Sequence, residues 1–458
     1  MRTNKKIKSI DRLRRQFVLM VTAGVGAILL AGCDLGVLDP GTIEYDDLFE
    51  PQAIQPLVIG AERNLGRAVS GGTSPHGGIF GAGAHLTDEL VHSGQWVGIR
   101  DWSNAVLVPN DVAETVTRWA HAQNARVAAE DAAEIIRTVL DRQGQNPDAS
   151  VPVATSLLWA GFSSRVLADA FCTAVIDGGE ELPVSAMYQH AEAHFGEVIS
   201  IAGAAGENQL VTAAYAGRAQ VRMMLGNWDG AVADAGQVPI DFVHDIRMSS
   251  NSTTEYNGLS VAFLEHAQST VWGTPFAQYG TDVSGAVDTD GDPRVTFASR
   301  LDDGSVEIGG DGRRENWRPQ KYPSRDSNHP IVKGTEMRLI EAEAALVAGN
   351  IGGAISGINT VRSHHGLDAV SADSQEEAWY LLQRERGIEL WVEGRRLSDM
   401  RRWAQTPGFA DFDVVRLEAS GDEPIENDEV RNVLNNPMGE LCLPISADER
   451  NSNPNIDP

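Results

Sequence analysis

The chain has 458 residues, 42% of them hydrophobic, and carries a formal net charge of −27. Such an excess of acidic residues repels phosphate backbones, so the composition argues against a nucleic-acid-binding protein. The length would accommodate more than one domain of about 150 residues, but no linker rich in Ser, Pro and Gly divides the sequence.

The N-terminus predicts an exported, lipid-anchored protein. A cluster of basic residues precedes an apolar run over 17–30 that is shorter than the roughly 20 residues of a spanning helix. The run ends in Leu30-Ala31-Gly32-Cys33, which resembles a bacterial lipoprotein signal. The resemblance implies that residues 1–32 are removed and that Cys33 carries acyl chains, palmitate among them, that hold the protein on a membrane.

Two further predictions concern export and membrane crossing. Arg14-Arg15-Gln16-Phe17-Val18 resembles a twin-arginine signal, which leaves open whether the general secretory or the twin-arginine route is used. After Cys33 no run of about 18 apolar residues occurs, so the sequence predicts no spanning helix in the mature chain.

Beyond the signal, helical and loop-rich compositions alternate. Residues 33–60 are acidic and predict a tether. Gly, Ser and Asn predict loops over about 70–110, and dense glycine predicts loops and small strands over about 240–330. The predicted helical pairs occupy about 112–238 and 335–403.

The clearest helical pair begins at Thr335. Its first helix has an apolar stripe at helical spacing, formed by Met337, Ile340, Ala344 and Val347. Gly349-Asn350 ends that helix, and a second stripe follows, formed by Ile351, Ala354, Ile355, Ile358 and Val361. A similar pair occupies 215–238. Repeated pairs with small residues at the contact predict a mostly α fold with a tetratricopeptide-like scaffold.

A charged constellation lies within residues 384–403. Glu385, Glu389 and Glu393 are spaced four apart, which predicts that they share one helix face. A carboxylate pair of this kind serves glycoside hydrolysis in some enzymes. Because apolar residues crowd the same helix, we interpret the glutamates instead as part of a structural ion network. Its other predicted members are Arg386, Arg396, Asp399 and Arg402.

The same segment resembles the C-terminal signature of the SusD/RagB family of outer-membrane nutrient-binding lipoproteins. The matching residues are Glu385-Arg386, Glu389-Leu390, Glu393-Gly394, Arg396, Asp399 and Arg402-Trp403. Further blocks that resemble the family are Leu38-Asp39-Pro40, Asp292-Pro293-Arg294, the helical pair from Met337 to Arg362, Leu443-Pro444-Ile445 and Asn453-Pro454-Asn455. The resemblance implies one SusD-like domain over 61–458, with a loop-rich, small-strand part beside the helical scaffold.

The resemblance also implies a function. We expect a non-enzymatic protein, exposed on the cell surface, that binds glycans or oligosaccharides and delivers them to a SusC-like, TonB-dependent transporter of the outer membrane. It implies no cofactor. Three alternatives remain open from the sequence: a family member that binds peptides, a surface glycosidase, and a periplasmic helical-repeat scaffold.

Aromatic side chains in the loop-rich segments are the candidate ligand contacts, because sugar rings stack on aromatic faces while polar groups bind their hydroxyls. The predicted ligand-binding residues are Trp96, Arg100, Asp101, Trp102, Trp272, Tyr279 and Trp317. Tryptophans within helical patterns, Trp228 among them, are predicted to belong to the core.

Two patterns are weak metal candidates. Asp288, Asp290 and Asp292 alternate as in a calcium loop, but the glycine and the twelfth residue do not fit that loop, so a solvated turn is the favoured interpretation. His190 and His194 are four apart without forming a His-Glu-x-x-His motif, and we interpret them as an exposed helix face. The sequence therefore predicts no firm metal site.

Two cysteines remain besides Cys33. Cys172 and Cys442 both lie in apolar surroundings, as buried unpaired cysteines do. The sequence leaves open whether they form a disulfide, because it does not fix the distance between them.

Overall fold

The computed structural model describes residues 45–71, 77–103, 112–406 and 442–456. The predicted signal, Cys33 and the first part of the predicted tether lie outside the described residues. The chain divides into two units, residues 1–48 and 49–458, and the elements below belong to the second unit.

Helices dominate the described residues. They are α1 (Ile54–Ser70), α2 (Gly78–His85), α3 (Val97–Ser103), α4 (Val112–Arg142), α5 (Val151–Ala170), α6 (Val184–Ala205), α7 (Asn208–Met224), α8 (Trp228–Ala235), α9 (Gly258–Leu264), α10 (Pro275–Tyr279), α11 (Gly334–Val347), α12 (Ile351–His364), α13 (Gln375–Glu389), α14 (Arg396–Ala404) and α15 (Ala447–Ser452). The strands are short: β1 (Val91–His92), β2 (Thr173–Ala174), β3 (Leu182–Pro183), β4 (Val243–Ile246), β5 (Ser269–Thr270), β6 (Thr281–Asp282), β7 (Thr296–Ala298), β8 (Arg318–Pro319) and β9 (His329–Lys333).

The long helices form a stack in which each packs against the next. α1 packs on α4, the run from α4 to α8 packs in chain order, and α8 leads to α11, α12 and α13. The predicted tetratricopeptide-like scaffold is confirmed. The predicted loop-rich part with small strands is confirmed as well, since β1–β5, β4–β9 and β6–β7–β8 form small separate sheets.

Three segments contain more helix than the sequence predicted. The segment 70–110, predicted as loops, contains α2 and α3. α1 begins at Ile54, inside the segment predicted to be a tether, and it buries Ala61, Leu65 and Val69 against the core. The segment 240–330, predicted as loops and strands, contains the short helices α9 and α10, which begin after Asn257 and Thr274. Both helices are too short for an apolar periodicity to distinguish them from strands.

α5 is the central helix of the stack. It begins where the Ser150 side chain accepts a hydrogen bond from the Val153 amide and where Pro152 fits the first turn. By length and composition α5 could cross a membrane, although the sequence predicted no such helix after Cys33. Most of its side chains are buried within the protein, Arg165 and Asp169 included, which is typical of a core helix.

The pair α11 and α12 confirms the predicted turn but corrects one apolar stripe. Gly349 has φ of 74°, and the Asn350 side chain caps α12 by accepting from the Gly353 amide. The predicted stripe of α11 is wrong at Val347, which is 42% exposed. Leu339, Ala342 and Leu346 instead face α12 and α13, because the first helix of the pair is covered on two sides.

The two helices approach closely at a glycine. A Cβ atom on Gly357 would lie 2.9 Å from the Cβ of Ala342 and 3.1 Å from the carbonyl oxygen of Arg338. Ala342, a small residue predicted at the contact, and Gly357, which was not predicted, therefore set the distance between the helices.

Cys172 and Cys442 form a disulfide with a Cα–Cα distance of 5.0 Å. The residues around it pair as well: the Cys172 amide donates to Leu443 (2.9 Å) and the Leu443 amide to Ala170 (2.8 Å). α5 ends at Ala170, where the backbone turns to this pairing. The disulfide thus fastens the C-terminal segment, residues 442–456, to the helical stack.

Removing the disulfide is expected to destabilise the protein. We expect the Cys172→Ser, Cys442→Ser double variant to lose about 2–4 kcal/mol of unfolding free energy, because a long loop is no longer closed in the unfolded chain. Urea denaturation followed by circular dichroism measures the loss. Wild-type protein treated with a reductant should reproduce it, and equal midpoints for oxidised, reduced and double-variant protein would contradict the prediction.

Candidate functional site

The two loop-rich segments meet through a short antiparallel ribbon. β1 pairs with β5 in the register Val91 with Thr270 and His92 with Ser269. Beyond the ribbon the Ser93 amide donates to Gln268 (3.0 Å), and the Asp311 amide donates to Ser93 (2.9 Å). We call the surface formed by residues 91–102, 266–272 and 305–318 the loop face.

Trp96 is the prominent aromatic side chain at one end of the loop face. It is 49% exposed, and its neighbour Val97 is 55% exposed. The Arg100 amide donates to the Trp96 carbonyl (3.1 Å), so Arg100 lies one helical turn further along, and its guanidinium is 4.0 Å from the Asp101 carboxylate. An indole with a guanidinium and a carboxylate nearby offers a stacking surface and hydrogen-bonding groups together.

The other predicted ligand contacts divide into two groups. Trp272 and Trp317 are half-buried and lie at the opposite end of the ribbon from Trp96, because β1 and β5 run antiparallel. Trp317 stacks on Phe297 with ring centroids 5.5 Å apart, and its indole N–H donates to Glu315 (2.9 Å). The structure therefore brings Trp96, Arg100 and Asp101 together but separates Trp272 and Trp317 from them.

Trp102 and Tyr279 lie in the core, which corrects their prediction as ligand contacts. Trp102 is 5% exposed and lies under the Arg118 guanidinium at 4.5 Å. Tyr279 is 7% exposed and lies under Arg384 at 4.4 Å. Both rings are already covered by a cation from a neighbouring helix, so neither offers a face to a ligand.

A cavity of about 450 Å³ opens on the helical side, where the sequence predicted no site. Its lining includes Tyr188, Trp228, Val347, Arg401 and Gln405. Trp228 was predicted to belong to the core, but it is only partly buried at the start of α8. Its position directly after the Gly226-Asn227 turn is the one sequence signal that could have identified this lining.

The three glutamates predicted to share a helix face do not do so. α13 ends at Glu389, so Glu393 lies beyond the helix, in the turn that precedes α14. Each carboxylate is paired with cations, some of which it shares with a neighbouring glutamate, and these cations are not the arginines that the sequence suggested. Glu385 pairs with Arg294 (2.6 Å) and Arg362 (3.2 Å), and Glu393 pairs with Lys321 (2.7 Å) and Lys333 (3.0 Å).

Glu389 is buried, and cations and hydrogen-bond donors surround its carboxylate. It lies within 3.1 Å of both Arg294 and Lys333 and accepts a hydrogen bond from Thr335 (2.6 Å). Burial alone would raise its pKa, but Lys333 and the hydrogen bonds from His365 and Thr335 hold the pKa well below its usual range. A general acid needs a raised pKa and access to substrate. The geometry of Glu389 therefore favours the structural interpretation over that of a glycosidase.

The remaining predicted members form a second, deeper part of the ion network. Arg386 binds Asp399 through two hydrogen bonds (2.9 and 3.0 Å), and Arg402 binds both Asp399 (2.8 Å) and Glu343 of α11 (2.7 Å). Burial would raise the pKa of Asp399, but the charges of Arg386 and Arg402 lower it. Arg396 binds Asp88, which follows α2, at 2.7 and 2.8 Å. Of these partners the sequence analysis identified neither Glu343 nor Asp88, since both are distant in the chain.

Beside this network, a buried carboxyl supports a strained backbone. Val392 has φ of 55°, a left-handed conformation that a β-branched residue rarely adopts. The Val392 amide donates to Glu89 (2.6 Å), and its carbonyl accepts from Tyr322 (3.0 Å). Burial raises the pKa of Glu89 to about 8, although the hydrogen bond from Val392 and the charge of Arg396 oppose the shift.

The candidate calcium residues do not converge. Asp290 pairs with Arg384 (2.7 Å) and Asp292 pairs with Arg294 (2.8 Å), while Asp288 is exposed. Two of the three carboxylates are thus neutralised by arginines, which gives the calcium interpretation no support. Within the described ranges, a group of metal-ligand type is instead formed by Glu130, His190 and His194.

Comparison with known proteins confirms the resemblance to the SusD/RagB family. Residues 314–457 match the sequence model of the SusD family. No curated protein sequence matches the chain significantly.

Solved structures show the same fold at low identity. A SusD superfamily protein from Bacteroides vulgatus is similar with a TM-score of 0.63 and 16% identity, covering 88% of this chain and 97% of the other. A SusD-like carbohydrate-binding protein from Bacteroides fragilis is similar with a TM-score of 0.57 and 13% identity, covering 78% of this chain and 87% of the other. The fold of the present chain is therefore SusD-like.

The raised pKa of Glu89 predicts a pH dependence of stability. Folding raises this pKa from an ordinary 4.5 to about 8. The stabilisation linked to the protonated carboxyl is therefore fully present below about pH 4.5 and is lost as the pH rises through 8. We expect the unfolding free energy of wild-type protein, relative to Glu89→Gln, to fall by about 3–5 kcal/mol between pH 4 and 9.

Urea denaturation of both proteins at pH 4, 6.5 and 9 measures this difference. Other titrating groups are common to the two proteins, so they cancel in the comparison. A difference in unfolding free energy that does not change with pH would show that Glu89 keeps its ordinary pKa in the folded protein.

Proposed function

We propose that this protein is a non-enzymatic outer-membrane lipoprotein that captures glycans for import. The proposal is supported by the SusD-like fold and by the SusD family match over residues 314–457. The family match is the observation that carries the proposal. Two structurally similar proteins, from Bacteroides fragilis and Bacteroides vulgatus, are carbohydrate-binding. In this proposal the protein delivers its ligand to a SusC-like, TonB-dependent transporter.

The loop face is the proposed ligand surface, and Trp96 is its proposed stacking platform. Trp96 combines high exposure with a fixed backbone, since its carbonyl accepts the first hydrogen bond of α3. A rigid aromatic ring loses little entropy when a sugar stacks on it, and Arg100 and Asp101 can bind hydroxyls at the ring edge. Trp272 and Trp317, at the other end of the ribbon, would contact a longer oligosaccharide.

The lipid anchor and the transporter complete the proposal. The lipoprotein signal ending at Cys33 supports attachment to a membrane, and the Cys172–Cys442 disulfide fits a protein that folds outside the cytoplasm. We place the helical side, with its cavity beside α8 and α14, against the transporter, so that the loop face meets the ligand. The protein would act as a lid, with the loop face turned toward the barrel mouth beside the docked helices and the captured glycan held between lid and barrel.

Substitution of Trp96 tests the ligand surface. A glycan array identifies the best oligosaccharide, and isothermal titration calorimetry then compares wild-type protein, Trp96→Ala and Trp228→Ala. We expect Trp96→Ala to weaken binding by about 10-fold or more through loss of stacking, and Trp228→Ala to bind as wild type does. The reverse result would place the binding site in the helical cavity instead. If a parallel array shows binding of peptides but not of glycans, the ligand is a peptide and the glycan proposal is wrong.

Membrane fractionation tests the anchor and the transporter together. We expect the full-length protein to remain with outer membranes and to co-purify with a TonB-dependent barrel in mild detergent. Cys33→Ser should appear in the soluble fraction, because no acyl chain can attach. Wild-type protein in the soluble fraction, or membrane-bound protein without any barrel partner, would contradict the proposal. Protease treatment of intact cells separates a surface protein from a periplasmic scaffold.

A further inference from the structure

Three side chains of metal-ligand type converge between α4 and α6. His190 and His194 lie one turn apart on α6, with their Nε2 atoms 3.2 Å from each other. Glu130 projects from α4, and its Oε1 atom is 2.7 Å from Nε2 of His190 and 3.2 Å from Nε2 of His194. Three potential ligand atoms therefore surround one point.

The spacing of these atoms fits a tetrahedral zinc ion. With metal–ligand bonds of about 2.0–2.2 Å, tetrahedral geometry places neighbouring ligand atoms about 3.3–3.6 Å apart. Two of the three observed separations are 3.2 Å, close to this range, and the ligand atoms of Glu130 and His190, at 2.7 Å, would move apart when an ion binds. The side chains are 29% (His190), 15% (His194) and 20% (Glu130) exposed, so a fourth position remains open to water.

Hydrogen bonding alone does not account well for this arrangement. Both imidazole Nε2 atoms lie near the same carboxylate oxygen, and although this oxygen can accept from both, their N–H groups would lie side by side with the Nε2 atoms only 3.2 Å apart. A metal ion replaces both protons and satisfies all three atoms at once. Neutral imidazole and carboxylate are ordinary zinc ligands.

A buried arginine holds the carboxylate in position. Arg126, one turn before Glu130 on α4, binds the other oxygen of Glu130 (2.5 Å) and is itself held by Asp177 (2.9 Å) and Gln123 (3.1 Å). Glu130 therefore presents Oε1 alone to the histidines.

We propose that Glu130, His190 and His194 form a binding site for a divalent transition-metal ion, with Zn²⁺ as the best-fitting ion. The site joins α4 to α6, the two helices that pack on either side of α5. A bound ion acts there as a cross-link in the helical scaffold, remote in the chain from the loop face. The proposal does not depend on the proposed ligand or transporter.

Equilibrium dialysis against Zn²⁺ tests the site directly. The full-length protein, purified without a histidine tag and stripped with a chelator, is dialysed against micromolar Zn²⁺, and bound metal is measured by plasma mass spectrometry. We expect one tightly bound ion per wild-type chain. We expect His190→Gln, His194→Gln and Glu130→Gln each to weaken binding by about 10-fold or more, because each removes one of three ligands.

A matched control and a second measurement complete the test. His364→Gln removes an exposed histidine outside both the site and the loop face and should bind Zn²⁺ as wild type does. Zn²⁺ should raise the midpoint of thermal unfolding of wild type and His364→Gln but not of His190→Gln, and the same melting curves verify that the variants fold. Unchanged binding in all three site variants, or a wild-type chain that binds no Zn²⁺ at 100 µM, a concentration well above micromolar affinity, would overturn the proposal.

Discussion

The structure depends on ion pairs that have been removed from water. Arg386, Asp399, Arg402 and Glu343 join α11, α13 and α14, and Arg396 with Asp88 joins α14 to the segment that carries the loops. Charges buried in this way stabilise a fold only when each has its partner in good geometry, since an unpaired one costs about 3–5 kcal/mol. Because a shift of any of these elements would separate a buried charge from its partner, the network favours this arrangement over less closely packed ones.

This constraint explains how irregular loops keep a defined shape. The ribbon of β1 and β5 has only two residues in each strand and would not be stable alone. It is held because Asp88 and Glu89, just before β1, are fastened to Arg396 and to the Val392 amide. The buried charges thus hold the segment that leads into the loop face, and Trp96, the proposed stacking residue, follows this segment in the chain.

The sequence predicted the features that depend on local pattern. The turn at Gly349-Asn350, the apolar positions Ala354, Ile358 and Val361, and the charged signature after residue 384 were all readable, because spacing or residue type determines them. It failed where the backbone departs from a regular helix. Glu393 leaves the glutamate face because α13 stops at Glu389 and Val392 adopts a left-handed conformation, which no periodicity indicates.

The sequence also did not predict the contacts between segments that are distant in the chain. Trp96 and Trp102 lie in one loop with similar neighbours, yet one is exposed and the other lies under Arg118, a residue of the following helix. Glu130 gave no signal that it would meet His190 and His194, because two separate helices bring them together. Likewise, the approach of Cys172 to Cys442 follows from the path of the whole chain between them.

That last link has a consequence for the integrity of the molecule under proteolysis. Every peptide bond between Cys172 and Cys442 lies inside a covalent ring, so a single cut anywhere in that stretch opens the ring without releasing a fragment. The tail with α15 would stay covalently attached to the N-terminal part through sulfur alone. A protease that acts within this stretch would therefore have to cleave twice, or act together with a reducing agent, before any piece of the stretch could diffuse away.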